Sequence, residues 1–288
     1  MKAKFPILIL IVVVIIGEMS KDPNNPPPRM APRAVGEKVL PPLPDAEAEG
    51  AGKISPASPF DSVIQIEDAE KGSRQQYTGT AFSIDGRGLW VTARHVTHGC
   101  DRLALLRPFN RPIEVASVVE HGNADVSIIR TDGGIDALPI DYSTPDYNQE
   151  GFHFGFPRGD PGAVYSKLIG RRTIKSTGTR TTREPVLVWA EKIRIPDSNE
   201  SLGGISGGPI LNGSGSVVGV HIAGSIRRGR SFSSLPSKID DILNQNGVEI
   251  ARTSTPVEIA DLNPESFGEV GEILREELTV AQVVCRTD

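Results

Sequence analysis

From about residue 60 onward the chain alternates short apolar runs with clusters of turn residues. The runs are too brief, and too often broken by glycine, to be helices. The spacing predicts strands over 62–66, 77–84, 89–93, 103–106, 113–119 and 126–130, with Asp85-Gly86-Arg87-Gly88 as a hairpin turn. A second set is expected over 151–156, 166–174, 186–195, 209–211, 217–223 and 230–233. Helical periodicity first appears over 236–246. It returns in the tail, where Asn263 can cap a helix with Pro264 at its first position and Phe267, Val270, Leu274 and Leu278 share one face. That face either packs on the body of the protein or receives a partner. Two groups of about six strands predict an all-β fold, built as two antiparallel barrels or as a sandwich.

The first sixty residues do not share this pattern. Lys2 and Lys4 precede an unbroken apolar run from Phe5 to Ile16. As a helix that run reaches roughly 18 Å, short of a hydrocarbon core of about 30 Å, and the length favours a signal peptide. Gly17-Glu18-Met19-Ser20 offers no small-residue cleavage pair, which favours an uncleaved anchor instead. Either way the body is exported, to be periplasmic and tethered to the inner membrane or to be secreted, while Lys2 and Lys4 stay inside. Prolines recur from Lys21 to Phe60 among small and charged residues, as in an extended tether. The expected division is therefore 1–20 for export, 21–60 for the linker, 61–250 for the body and 251–288 for a tail with an amphipathic helix.

Composition narrows the function. With 31 Lys+Arg against 36 Asp+Glu, the net charge of −5 gives no general attraction to nucleic acid. The 38% hydrophobic content and 30 glycines suit a strand-rich core and exclude a collagenous or wholly disordered chain. Cys100 and Cys285 are the only cysteines. Export permits them to pair, which would tie the tail to the first strand group, and the sequence leaves that pairing open. No close-spaced His/Cys set points to a metal, and no cofactor is indicated.

Gly204-Ile205-Ser206-Gly207-Gly208-Pro209 carries the strongest chemical signal. Glycines let the main chain turn its N–H groups into a concave site beside an exposed serine hydroxyl. Such a hydroxyl needs a base within hydrogen-bond reach, drawn from His95, His98, His121, His153 and His221. His95 stands at the end of the strand over 89–93, with His98 its rival, and Asp125 at the start of the strand over 126–130 can orient the imidazole.

Together these residues resemble the chymotrypsin-like (trypsin-like) serine proteases, whose triad also runs His, Asp, Ser along the chain. Thr78-Gly79-Thr80-Ala81-Phe82 is similar to that family's small-residue strand leading to the histidine. The resemblance spans roughly residues 60–250. It is closest to the bacterial HtrA-like branch, judged by the short spacing from His95 to Asp125 and by Val217-Val218-Gly219-Val220, with no room in the tail for a PDZ domain. It implies two six-stranded barrels followed by C-terminal helices, Ser206 as nucleophile, His95 as general base and Asp125 as orienting carboxylate. The N–H groups of Gly204 and Ser206 would form the oxyanion hole, each donor worth about 2.7–4 kcal/mol.

Two departures stand out. Arg94 replaces a small residue before the histidine, and Ile205 stands where trypsin has the aspartate that pairs with a freed N-terminal amine. Gly219 to Gly224 is similar to the segment lining the specificity pocket of glutamyl endopeptidases. This implies that Ser201 and His221 receive a Glu or Gln side chain before the scissile bond of a protein or peptide substrate. Glu200 works against an acidic side chain there. The competing reading is a protease-fold module that binds peptides without cutting them.

Overall fold

The computed structural model describes residues 52–67, 76–107, 111–177, 181–225, 228–250, 259 and 262–287. The apolar run Phe5 to Ile16 and nearly all of the proline-rich stretch before residue 52 lie outside the described residues. Among those described, no helix is long and apolar enough to cross a membrane.

In chain order the strands are β1 (Val63–Glu67), β2 (Gln76–Asp85), β3 (Leu89–Thr92), β4 (Arg102–Arg107), β5 (Arg111–Glu120), β6 (Ser127–Thr131), β7 (Glu150–Gly155), β8 (Gly162–Thr177), β9 (Thr182–Ile195), β10 (Pro209–Leu211), β11 (Val217–Ser225), β12 (Arg230–Ser234) and β13 (Val280–Arg286). The helices are α1 (Arg94–Thr97), α2 (Ser237–Gln245) and α3 (Phe267–Glu276). One closed barrel runs β13-β2-β3-β6-β5-β4. The second sheet runs β1-β8-β7-β10-β11-β12-β9, and the extra pairing of β8 with β9 brings its last six strands into a ring. The fold is all-β, a closed six-strand barrel and a second sheet, as the spacing of the apolar runs implies.

One strand is exchanged relative to expectation. The run over 62–66 opens the first group in sequence, yet β1 pairs in parallel with β8 of the second sheet, Val63 facing Thr173. The sixth stave of the closed barrel is β13, from the tail. It pairs antiparallel with β2 from Val280↔Phe82 to Arg286↔Gln76 and with β4 from Gln282↔Leu106 to Arg286↔Arg102. Both edges of β13 are thus satisfied, and Val280, Ala281, Val283 and Cys285 are buried. Cys285 forms a disulfide with Cys100, with Cα atoms 5.4 Å apart and a sequence separation of 185 residues.

The tail helix starts later than its capping residue suggests. Asn263 Oδ1 accepts the N–H groups of Glu265 and Ser266 at 2.9 and 3.0 Å, closing a turn before α3 begins. Phe267 and Leu274 are buried, and Phe267 lies against the rings of Phe152 and Tyr165 on β7 and β8. Leu278 falls beyond the helix at φ 62°. Residues 262–287 therefore touch both barrels, α3 on the second and β13 in the first.

Candidate active site

Strand β3 delivers Thr92 and Ala93 to α1, which presents His95. The His95 Nδ1 lies 2.7 Å from Asp125 Oδ2, and its backbone N–H donates to Asp125 Oδ1 at 2.9 Å. Two contacts to one carboxylate fix both the position and the tautomer of the imidazole: Nδ1 carries the proton and Nε2 is left with a lone pair. Asp125 is 5% exposed, so this contact operates with little screening by water. The rival His98 is exposed and bonded to Glu120 at 3.0 Å. Arg94, unexpected before the histidine, is buried.

Ser206 sits on the turn before β10, half-buried. Its carbonyl accepts the N–H of Thr80 at 2.8 Å, and the Thr80 hydroxyl donates to the Gly204 carbonyl at 2.8 Å. A side chain on Gly207 would meet Thr92 Oγ1 at 2.3 Å and Ala93 N at 2.7 Å, so the turn rests directly on the residues that lead to His95. Gly204 adopts φ +99°, and a Cβ there would lie 2.4 Å from the Phe156 carbonyl. Only glycine fits both constraints.

The short turn Pro157–Gly159 props this loop from the other side. The Arg158 N–H donates to the Gly203 carbonyl. In a trans peptide the C=O and the following N–H point in opposite directions, so holding the Gly203 carbonyl turns the Gly204 N–H away from the prop. Among the described residues neither the Gly204 nor the Ser206 N–H donates to another backbone group. Two main-chain N–H groups of the Ser206 turn are thus left without a backbone acceptor.

His221 lies on β11 against the same turn: its carbonyl accepts the Gly207 N–H at 2.7 Å and its N–H donates to the Gly208 carbonyl at 2.9 Å. Behind it runs a buried chain of side chains. His221 Nδ1 is 3.0 Å from His153 Nδ1, His153 Nε2 is 2.7 Å from Ser166 Oγ, and that hydroxyl donates to the Gly151 carbonyl at 3.0 Å. The polarity follows step by step. With its proton committed to Gly151, Ser166 Oγ accepts from His153 Nε2–H, so a neutral His153 accepts at Nδ1 from His221 Nδ1–H. Burial, reinforced by the nearness of His95 and Arg194, pushes His221 down to about 3, and burial likewise drives His153 well below the usual histidine range. Both rings are neutral at ordinary pH, and His221 keeps its lone pair at Nε2.

Ser201 is exposed, and its hydroxyl oxygen accepts the Gly203 N–H at 3.1 Å. Glu200 forms an ion pair with Arg158, so its charge is compensated. Arg194 is bound to Glu191 and donates to the carbonyls of Ser198 and Glu200, which ties β9 to the segment leading into Ser206. Among the described residues no group of three His, Cys, Asp or Glu side chains could hold a metal ion.

Residues 79–220 match the family model described as a trypsin-like peptidase domain. No curated protein sequence matches the chain. Among solved structures, the active form of the Rv3671c protease from M. tuberculosis is similar at TM-score 0.48 and 15% identity, over 78% of this chain and 99% of that one. An inactive form of the same protease is similar at TM-score 0.46 and 19% identity, over 59% and 84%. The inactive Ser343Ala mutant of Rv3671c gives 0.47 and 17%, over 60% and 85%.

Proposed function

We propose that the chain, whose central part matches a trypsin-like peptidase domain, is a serine endopeptidase with Ser206 as nucleophile. The observation that carries this reading is the double contact of His95 with Asp125 beside a serine flanked by two available N–H donors. His95 takes the Ser206 proton as Oγ attacks the substrate carbonyl carbon, and the Asp125 carboxylate stabilises the imidazolium that forms. The Gly204 and Ser206 N–H groups bind the oxyanion. His95 then gives its proton to the leaving amine as the C–N bond breaks, and water attacking the acyl-enzyme reverses the proton transfers. Ser206-dependent labelling by a fluorophosphonate tests the assignment.

The substrate residue before the scissile bond is, in this reading, Gln or Glu, received by His221 with Ser201 at the rim. The support is the position of His221 beside the nucleophile turn and the neutral chain behind it. A lone pair at Nε2 accepts directly from the amide of Gln. A Glu carboxylate brings only acceptors, so its binding requires uptake of one proton. The preference for Gln over Glu in kcat/KM is therefore expected to grow with pH between about 5 and 8, by up to about tenfold per unit. A peptide library showing no gain for either residue removes the subsite reading, and a ratio flat in pH removes the proton argument alone.

Lys2, Lys4 and the apolar run after them support an exported body, as does a disulfide that needs an oxidising compartment. Protein isolated without reductant is expected to titrate no free thiol. Reduction is expected to lower its unfolding free energy by about 3–5 kcal/mol, since the cross-link closes a long loop. Two free thiols in freshly isolated protein would count against export.

A further inference from the structure

The machinery described so far does not use Glu184. It lies on β9, opposite Ile174 of β8, and is 3% exposed. Its Oε2 accepts the backbone N–H of Asp125 at 2.8 Å. A carboxylate of the second barrel thus grips the peptide of the aspartate that the first barrel supplies.

The setting of that contact explains why it matters. Asp125 ends a turn whose preceding N–H groups, those of Asn123 and Ala124, both donate to His121 Nδ1, at 3.0 and 2.9 Å. Three successive main-chain donors point inward, and each needs a buried acceptor. The first barrel supplies the acceptor for two of them. The third, which belongs to the residue that holds His95, is met from across the barrel interface. What the carboxylate adds is a shorter, charge-assisted hydrogen bond. Asp125 is therefore held at both ends: its side chain faces His95 in its own barrel, and its peptide is clamped by the other.

We propose that Glu184 is a positioning residue for the catalytic aspartate, so that the His95–Asp125 pair reaches its working geometry only when the second barrel is docked. The inference rests on the serine-peptidase reading, and Ser206-dependent labelling checks that reading separately. Glu184→Ala is expected to lower kcat by about 10- to 100-fold with KM within about twofold, because the substrate subsites are untouched. Glu184→Gln, which keeps an acceptor oxygen at the same reach, is expected to restore kcat to within about threefold of wild type.

A second readout follows Asp125 directly. The downfield proton resonance of His95 Nδ1–H is expected to persist in Glu184→Gln and to weaken or move upfield in Glu184→Ala. A role limited to stability would lower the melting temperature of Glu184→Ala while leaving kcat per folded molecule and the proton resonance unchanged, and that result overturns the proposal. So does a Glu184→Gln variant as impaired in kcat as Glu184→Ala. If Glu184→Ala does not fold, Glu184→Asp, which withdraws the carboxylate by one methylene, is read by the same two measurements.

Discussion

Replacing Ser206 by alanine is expected to abolish fluorophosphonate labelling and to lower peptide hydrolysis by about 10⁴- to 10⁶-fold. The fold gives no reason for the variant to misfold. Ser206 is held through its backbone, by the Thr80 N–H on its carbonyl, and Thr80 also fixes the neighbouring Gly204 carbonyl. A residual rate above that of water is expected, since the two N–H donors remain. Labelling that persists in Ser206→Ala, or hydrolysis within about tenfold of wild type, places the nucleophile elsewhere. Folded wild-type protein that does not label at all supports the competing reading of a silent peptide-binding module.

The second large effect is expected at Gly204. An alanine there must hold φ near +99° while its Cβ pushes against the Phe156 carbonyl, 2.4 Å away in the present geometry. The backbone relieves both by rotating the Gly203–Gly204 peptide, which breaks the Arg158 anchor and swings the N–H out of the site. Because the oxyanion exists in the transition state and not in the bound substrate, the loss falls on kcat, by about 10²- to 10³-fold, with a smaller change in KM. A Gly204→Ala variant whose kcat stays within about threefold of wild type would show that this N–H does not serve the reaction.

Much of this architecture is legible in the residues. The strand ending at Thr92, the hairpin at Asp85 to Gly88 and the glycines around Ser206 each specify a local conformation, and their order along the chain suggests a triad. What the residues do not carry is partner choice between distant strands. Alternation of apolar and polar side chains marks a strand and its buried face, not its neighbour, so the run over 62–66 reads as part of the first group, while β13, in a tail that reads only as a helix, is missed altogether. Glu184 was hidden for a related reason. Thr182-Arg183-Glu184-Pro185 is polar and contains a proline, which marks a turn, yet β9 begins at Thr182 and Pro185 is accommodated opposite Thr173. His153 and Ser166 lie in separate strands and become a chain only through the β7–β8 register, in which Ser166 faces Gly151. His98 and His95 diverge in the structure, His98 turning to Glu120 and His95 to Asp125.

The exchange of β1 for β13 also sets a timetable. Tyr77 waits for Cys285, its ladder partner far along the chain, so the barrel that holds His95 and Asp125 cannot close until β13 has been made. The second ring, whose strands all lie before residue 235, is available much earlier. The barrel that carries His95 and Asp125 is thus completed beside a second ring whose strands have all been made before it.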